Sequence, residues 1–308
     1  MRWRLQAVRL RYGRMAAERA RLSAQLEHSR RLLAAEAGPR PELLDDTFGS
    51  AHPAFDPRFD GEAAGYTLRY QPLVDLADGR ILGVEALLRL TARPGGRSAP
   101  LEFVRRLEAS GEIGNVGHWV MRRACQELVV LQRAAPRPLR LVVNVSRREL
   151  GRAEYADDVL EVLAAAGLPP GRLELDVDGF HEAEHAELLC HPLQRLRSAG
   201  VGITLDNFGS TQLPLSLLAE LPLSKLKIDR SLVAALGQDE RHDALFASML
   251  QTAANLRLAV GVVGIENEGQ WRRLQQLGCT EGQGFLFATP LPLAAAQHLP
   301  LQLPAAAD

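Results

Sequence analysis

Aromatic residues make up only 5% of the 308-residue chain, so its core has to be built mainly from Leu, Val and Ala. Cysteine is scarcer still. Cys125, Cys190 and Cys279 are odd in number and far apart, which excludes a disulfide framework and leaves no Cys-x-x-Cys pair for a metal. They read as small thiols in a reducing compartment. Long apolar runs are absent too. No stretch approaches the roughly 20 residues of a membrane span, and Met1 is followed by no signal-peptide core. A cytoplasmic location is the expectation. A formal net charge of -1 and the lack of any basic-aromatic stripe exclude a chain built as a whole to bind nucleic acid.

What is present is 46% hydrophobic and 24% charged residues, enough for one large domain with a sizeable core and a small appendage. The charge is uneven. Residues 1–40 hold ten Arg and three Glu, an excess of seven positive charges, so the remainder carries about minus eight. Within residues 1–37, Leu5, Val8, Tyr12, Met15, Leu22, Leu26 and Leu33 recur on three- and four-residue steps, which predicts a basic amphipathic or coiled-coil helix. Such a stripe needs a partner: a second copy, another protein, or, as the lesser alternative, an anionic lipid surface. Gly38-Pro39-Arg40-Pro41 ends this helix, and residues 38–65 read as a linker.

Residues 66–308 have a different rhythm. Short Val-, Ile- and Leu-rich runs at 68–74, 80–88, 139–145, 172–177, 202–205, 225–228, 258–263 and 284–287 alternate with amphipathic helical stretches. Eight strands alternating with helices predict a closed parallel barrel. Only Leu76-Ala77-Asp78-Gly79 joins the first two strands, too short for a crossover helix. The fold class expected is therefore α/β: a modified TIM-type (β/α)8 barrel with an antiparallel first strand pair, preceded by a long N-terminal helix.

Polar residues end the apolar runs: Glu85, Asn144, Asp176, Asp206 with Asn207, Lys227, Glu266 and Gln283. In such barrels the C-terminal strand ends carry the chemistry. Carboxylates and an amide oxygen on one mouth suit a hard cation, and a neighbouring lysine suits a phosphate oxygen. His181, His185, His191 and Cys190 alternate with Glu182, Glu184 and Glu187, the pattern of a solvated helix and not of a metal cluster.

Six motifs in order then carry a resemblance. They are Tyr70-Gln71-Pro72-Leu73-Val74-Asp75, Gly83-Val84-Glu85-Ala86-Leu87-Leu88-Arg89, Val143-Asn144-Val145-Ser146, Leu205-Asp206-Asn207-Phe208-Gly209, Leu226-Lys227-Ile228-Asp229-Arg230 and Gly282-Gln283-Gly284-Phe285-Leu286-Phe287. From Tyr66 to about Pro292 the chain resembles the EAL family, which hydrolyses cyclic di-GMP in bacteria. The resemblance implies cyclic di-GMP contacts at Gln71, Glu85, Leu87, Arg89, Asn144, Asp206, Lys227, Gln283 and Pro290. It also implies one Mg2+ or Mn2+ on Glu85, Asn144, Asp176 and Asp206.

Four positions depart from the family pattern. Asp176 is one carbon shorter than the usual glutamate, Gly179 replaces a loop glutamate, and Asn207 and Val263 stand where a second ion needs carboxylates. Glu85, Lys227 and Glu266 remain of the catalytic set. These departures imply a degenerate member that requires no cofactor: a non-catalytic cyclic di-GMP receptor and not an enzyme. The alternatives are a protein-interaction module without nucleotide, or a weak cyclic di-GMP phosphodiesterase.

Overall fold

The structure, a computed structural model, describes residues 56, 58–90, 106–177, 183–210, 216–300 and 302, with side chains left aside at 183–188. The predicted helix over 1–37, most of the predicted linker, Gly179, His181 and the side chain of His185 lie outside the described residues.

Eight strands close into a barrel in sequence order: β1 (Tyr66–Asp75), β2 (Ile81–Leu90), β3 (Arg140–Val145), β4 (Leu173–Val177), β5 (Gly202–Phe208), β6 (Lys225–Ile228), β7 (Ala259–Val263) and β8 (Glu281–Gln283). As expected, β1 and β2 form an antiparallel hairpin, with Gln71 opposite Glu85. β1 is antiparallel to β8 as well, and every other neighbouring pair is parallel. The four-residue turn at Leu76–Gly79 is why: it can only reverse the chain.

The described helices are α1 (Ile113–Ala134), α2 (Arg147–Leu150), α3 (Tyr155–Ala166), α4 (Ala183–Ala199), α5 (Leu217–Glu220), α6 (Arg230–Ala235), α7 (Glu240–Asn255), α8 (Glu268–Gln276) and α9 (Leu293–Ala296). α1 shows the local logic. Val116, Val120, Ala124, Leu128 and Leu131 recur at helical spacing and are buried against the barrel. Such fully buried side chains each contribute on the order of 1.5–3 kcal/mol by leaving water. Caps set the helix starts: Asp239 accepts from the Arg241 and His242 amides, and Asn267 and Gln270 form a reciprocal box on α8.

One strand sits elsewhere than the hydrophobic pattern places it. The eighth strand is Glu281–Gln283, not 284–287. Its inward residues are polar, so no apolar run marks it. Beyond Gln283 the chain turns, with the Phe287 amide donating to the Gly284 carbonyl at 3.1 Å and the Leu286 amide to the Ile265 carbonyl at 3.0 Å.

The barrel interior departs from the usual filling of branched apolar side chains. Its lower tier is an ionic network. Lys225 Nζ donates to both Glu174 oxygens at 2.8 and 2.7 Å and to Glu281 Oε1 at 2.6 Å. Arg140 joins Glu174 and Glu281, and Thr204 Oγ1 donates to Glu174 Oε1 at 2.7 Å. Two cations face two carboxylates, and the tier is balanced.

At α2 the Ser146 cap links the site strand β3 to a buried acid. Ser146 donates to Glu149 Oε2 through its amide at 2.9 Å and its hydroxyl at 2.7 Å. The carboxyl lies on Gly117 of α1, where an added Cβ would fall 1.6 Å from Glu149 Oε1, so only glycine admits it. Burial pushes Glu149 up from 4.5 to about 7, against the Ser146 hydrogen bonds and Arg152. The folded state therefore keeps a proton that the unfolded chain releases. Stability from this group is complete below pH about 4.5 and is lost as pH rises through about 7, a difference of roughly 3 kcal/mol. Glu149→Gln, which keeps the accepting oxygen, is expected to flatten that loss. Urea unfolding of both proteins at pH 5 and 7.5 measures it, and equal pH dependence in the two would refute it.

Candidate active site

The upper tier of the barrel interior is built from the C-terminal strand ends. Glu85 lies on β2, Asn144 on β3, Asp176 on β4, Asp206 on β5 and Lys227 on β6, with Asn144 in register with Asp176. Lys227 is the centre of the group. Its Nζ donates to Asp176 Oδ2 at 2.5 Å and to Glu85 Oε2 at 3.0 Å, and stands 3.9 Å from Asp206 Oδ1. Asn144 Nδ2 donates to Glu85 Oε1 at 2.8 Å.

Electrostatics follow from this crowding. Burial pushes Lys227 down, but the Asp176, Glu85 and Asp206 carboxylates outweigh it and hold the ammonium well above its ordinary value. Burial pushes Glu85 up, and Lys227 with the Asn144 amide reverses that, leaving it below the usual range. Asp176 is the opposite case. Burial, with Glu85 and Asp206 nearby, raises it well above the carboxylate range despite Lys227.

A cleft of about 230 Å³ opens above this tier. Gln71, Glu85, Leu87, Asp206, Lys227 and Gln283 line it, as do Asn207, Val263 and Glu266. Four of the residues singled out from the sequence lie off it, the first being Asn144, which is exposed on β3. Arg89 is half-buried with Nη1 donating to the Leu88 carbonyl at 2.8 Å, and Pro290 is half-buried further along the chain from β8. Asp176 is fully buried and lines a water-sized cavity between the two tiers, below the mouth. Its shortened side chain is held down by Lys227. Besides Gly264 and Gly284, two further side chains line the cleft that the motifs did not single out, Arg230 and Phe285, the latter 63% exposed. Both lie inside quoted motif runs, but their exposure to the mouth depends on loops beyond β6 and β8.

β5 aims its own pair by an irregularity between Leu205 and Phe208, with Asn207 in the left-handed region at φ 54°. Asparagine tolerates that conformation better than most residues. The Asn207 backbone and side-chain nitrogens both donate to Asp206, at 2.9 and 3.3 Å.

The donor set can be tested against divalent cations. Glu85 and Asp206 face one ammonium in the upper tier, and the buried Asp176 Oδ1 has no hydrogen-bond partner. That shortage of positive charge and the oxygen donors fit one hard cation near Glu85, Asp206 and Asn144. Among the described residues no trio of acidic, histidine or cysteine side chains is arranged to hold a metal as it stands. Lys227 lies between Glu85 and Asp176. A second cation is poorly served, because Val263 has no donor atom and Asn207 brings only an uncharged amide oxygen.

The chain matches known proteins closely over this region. It is 37% identical over 231 residues to the cyclic di-GMP phosphodiesterase NbdA of Pseudomonas aeruginosa, covering 75% of this chain and 30% of that protein. It is 32% identical over 231 residues to the cyclic di-GMP phosphodiesterase PA2567 of the same species, covering 75% and 39%. The chain thus spans about a third of the length of these curated relatives. A solved structure of the PaMucR phosphodiesterase in complex with c-di-GMP superposes with a TM-score of 0.70 at 32% identity, covering 76% of this chain and 95% of that one. The EAL domain of Mycobacterium smegmatis DcpA gives 0.67 at 28% identity, covering 80% and 100%.

These relatives correct the expectation that the chain is not an enzyme. Proteins 32–37% identical to it bear phosphodiesterase names. The physical reason is in the upper tier, where Glu85, Asp206 and Lys227 still converge on the cleft and Asn144 still bonds Glu85. No helix among the described residues is long and apolar enough to cross a membrane. Residues 60–290 match the model described as EAL domain, and the chain belongs to the EAL domain family.

Proposed function

We propose that this chain hydrolyses cyclic di-GMP to the linear dinucleotide, at a rate reduced by its altered second-cation wall. The convergence of Glu85, Asp206 and Lys227 on one cleft at the C-terminal end of the barrel carries this reading. The named activity of the relatives and the c-di-GMP held by the PaMucR structure support it.

In the reaction a water oxygen bonds to phosphorus, the P–O3′ bond breaks, and the freed 3′ oxygen takes a proton. One Mg2+ or Mn2+ held by Glu85, Asp206 and Asn144 would supply Lewis acidity and a water of lowered pKa. Lys227, kept charged by its carboxylate neighbours, presents its ammonium to a non-bridging phosphate oxygen. Glu266, an exposed carboxylate on the rim, takes the proton of the attacking water. Gln71 and Gln283 offer amides to the sugar-phosphate ring, and the exposed Phe285 ring offers a face to a base. Arg89 and Pro290, off the cleft floor, bound the same ligand at its edge.

Incubating the purified chain with cyclic di-GMP and Mn2+, with chromatography of the products, is the test. Linear dinucleotide is expected, falling by about 10²-fold or more when EDTA removes the cation. No product at saturating Mn2+ would overturn the reading.

A further inference from the structure

The wall of the cleft that faces Asn207 and Val263 carries a cation of its own. Arg230, the first residue of α6, is exposed and lines the cleft beside Asn207, Val263, Gly264 and Glu266. No hydrogen bond or ion pair joins its side chain to another described residue. The neighbouring acid is committed elsewhere: Asp229 caps α6, its Oδ1 accepting from the Ser231 amide at 2.9 Å.

The backbone makes room for Arg230. Gly264 sits at φ 83°, and an added Cβ there would lie 2.4 Å from Arg230 Cβ. The loop after β7 can cross the start of α6 this closely only with glycine. The guanidinium therefore stands on the wall from which two carboxylates are missing. Had positions 207 and 263 been acidic, they would pair with Arg230 or with a cation. As they stand, a neutral amide and an apolar side chain leave its fork of donors open to an anion from the cleft.

We propose that Arg230 binds the phosphodiester of the substrate, its guanidinium standing in for the second cation that Asn207 and Val263 cannot hold. This rests on the phosphodiesterase reading. A planar guanidinium matches two non-bridging phosphate oxygens with parallel hydrogen bonds, which a lysine cannot do. The phosphate then lies between Lys227 and the single-cation donors on one side and Arg230 on the other.

Two measurements test it on the full chain. In Mn2+, Arg230→Ala is expected to raise the KM for cyclic di-GMP roughly 10- to 100-fold, the loss of a charged hydrogen-bond pair. Arg230→Lys, which keeps the charge but not the fork, is expected to raise KM less, by about 3- to 10-fold. Circular dichroism melting confirms that both variants fold; Arg230→Lys decides the matter if Arg230→Ala does not. Titration of Mn2+ alone, followed by electron paramagnetic resonance, reads the cation count independently of turnover. One ion per chain is expected for the wild type and for Arg230→Ala, and two for the Asn207→Asp, Val263→Glu double variant. A wild-type-like KM in the folded Arg230 variants, or two ions on the wild-type chain, overturns this role and leaves the phosphodiesterase reading intact. No turnover by the wild-type chain overturns both.

Discussion

Glu85→Gln is expected to lower turnover of cyclic di-GMP in Mn2+ by about 10²-fold or more, with little change in melting temperature. Glu85 is the residue on which the upper tier meets the cleft. It is buried, opposite Gln71 across the hairpin and opposite Val142 on β3, so its position is set by backbone register on both sides. One oxygen accepts from Asn144 and the other from Lys227. An amide of the same shape keeps the packing and one acceptor but removes the negative charge. A hard cation would then be left with one carboxylate at the cleft, and Lewis-acid stabilisation worth several kcal/mol would go with it, each 1.36 kcal/mol being tenfold in rate. Lys227 keeps its Asp176 partner, which is why the fold should tolerate the change. Steady-state kinetics of the two proteins decide the point. Turnover by Glu85→Gln within about threefold of wild type, a difference under 1 kcal/mol, would remove Glu85 from the mechanism.

The second large effect lies a layer below and concerns stability. Lys225→Met is expected to destabilise the barrel by about 3–5 kcal/mol, the usual penalty for removing one partner of a buried ion network. Lys225 is 5% exposed and bonds the buried Glu174 and the partly buried Glu281. Methionine fills the same volume, so the loss reports the charge and not a cavity. Arg140 alone would then face both acids. For a domain of this size the melting temperature should fall by roughly 6–20 °C in calorimetry. A fall under about 2 °C would show that the lower tier is not held by its charges. Since Glu174 and Asp176 share β4, and Lys225 and Lys227 share β6, loosening the lower tier should also cost turnover through the strands.

Much of this protein was legible before its structure. The hairpin over Leu76–Gly79, the alternation of strands and helices, and the six ordered motifs each follow from local pattern, because turn length and side-chain period are local properties. β8 was not legible, since Glu281 and Gln283 face a charged interior and break the apolar run on which strand reading depends. The ordering of the polar residues by depth was not legible either. Glu85 and Asp176 both end apolar runs, yet one reaches the mouth and the other lies beneath Lys227.

By itself, then, the sequence determined the family, the barrel and the identity of the donors at each strand end. It also determined that positions 207 and 263 lack carboxylates. Only the tertiary structure decided what those residues do to one another. Lys227 sits among three acidic side chains because β2, β4, β5 and β6 close around it. Arg230 reaches the depleted wall because Gly264 lets a distant loop pass over it. Charge balance in a buried site depends on distances of 3–4 Å between strands far apart in the chain, and no local pattern encodes those.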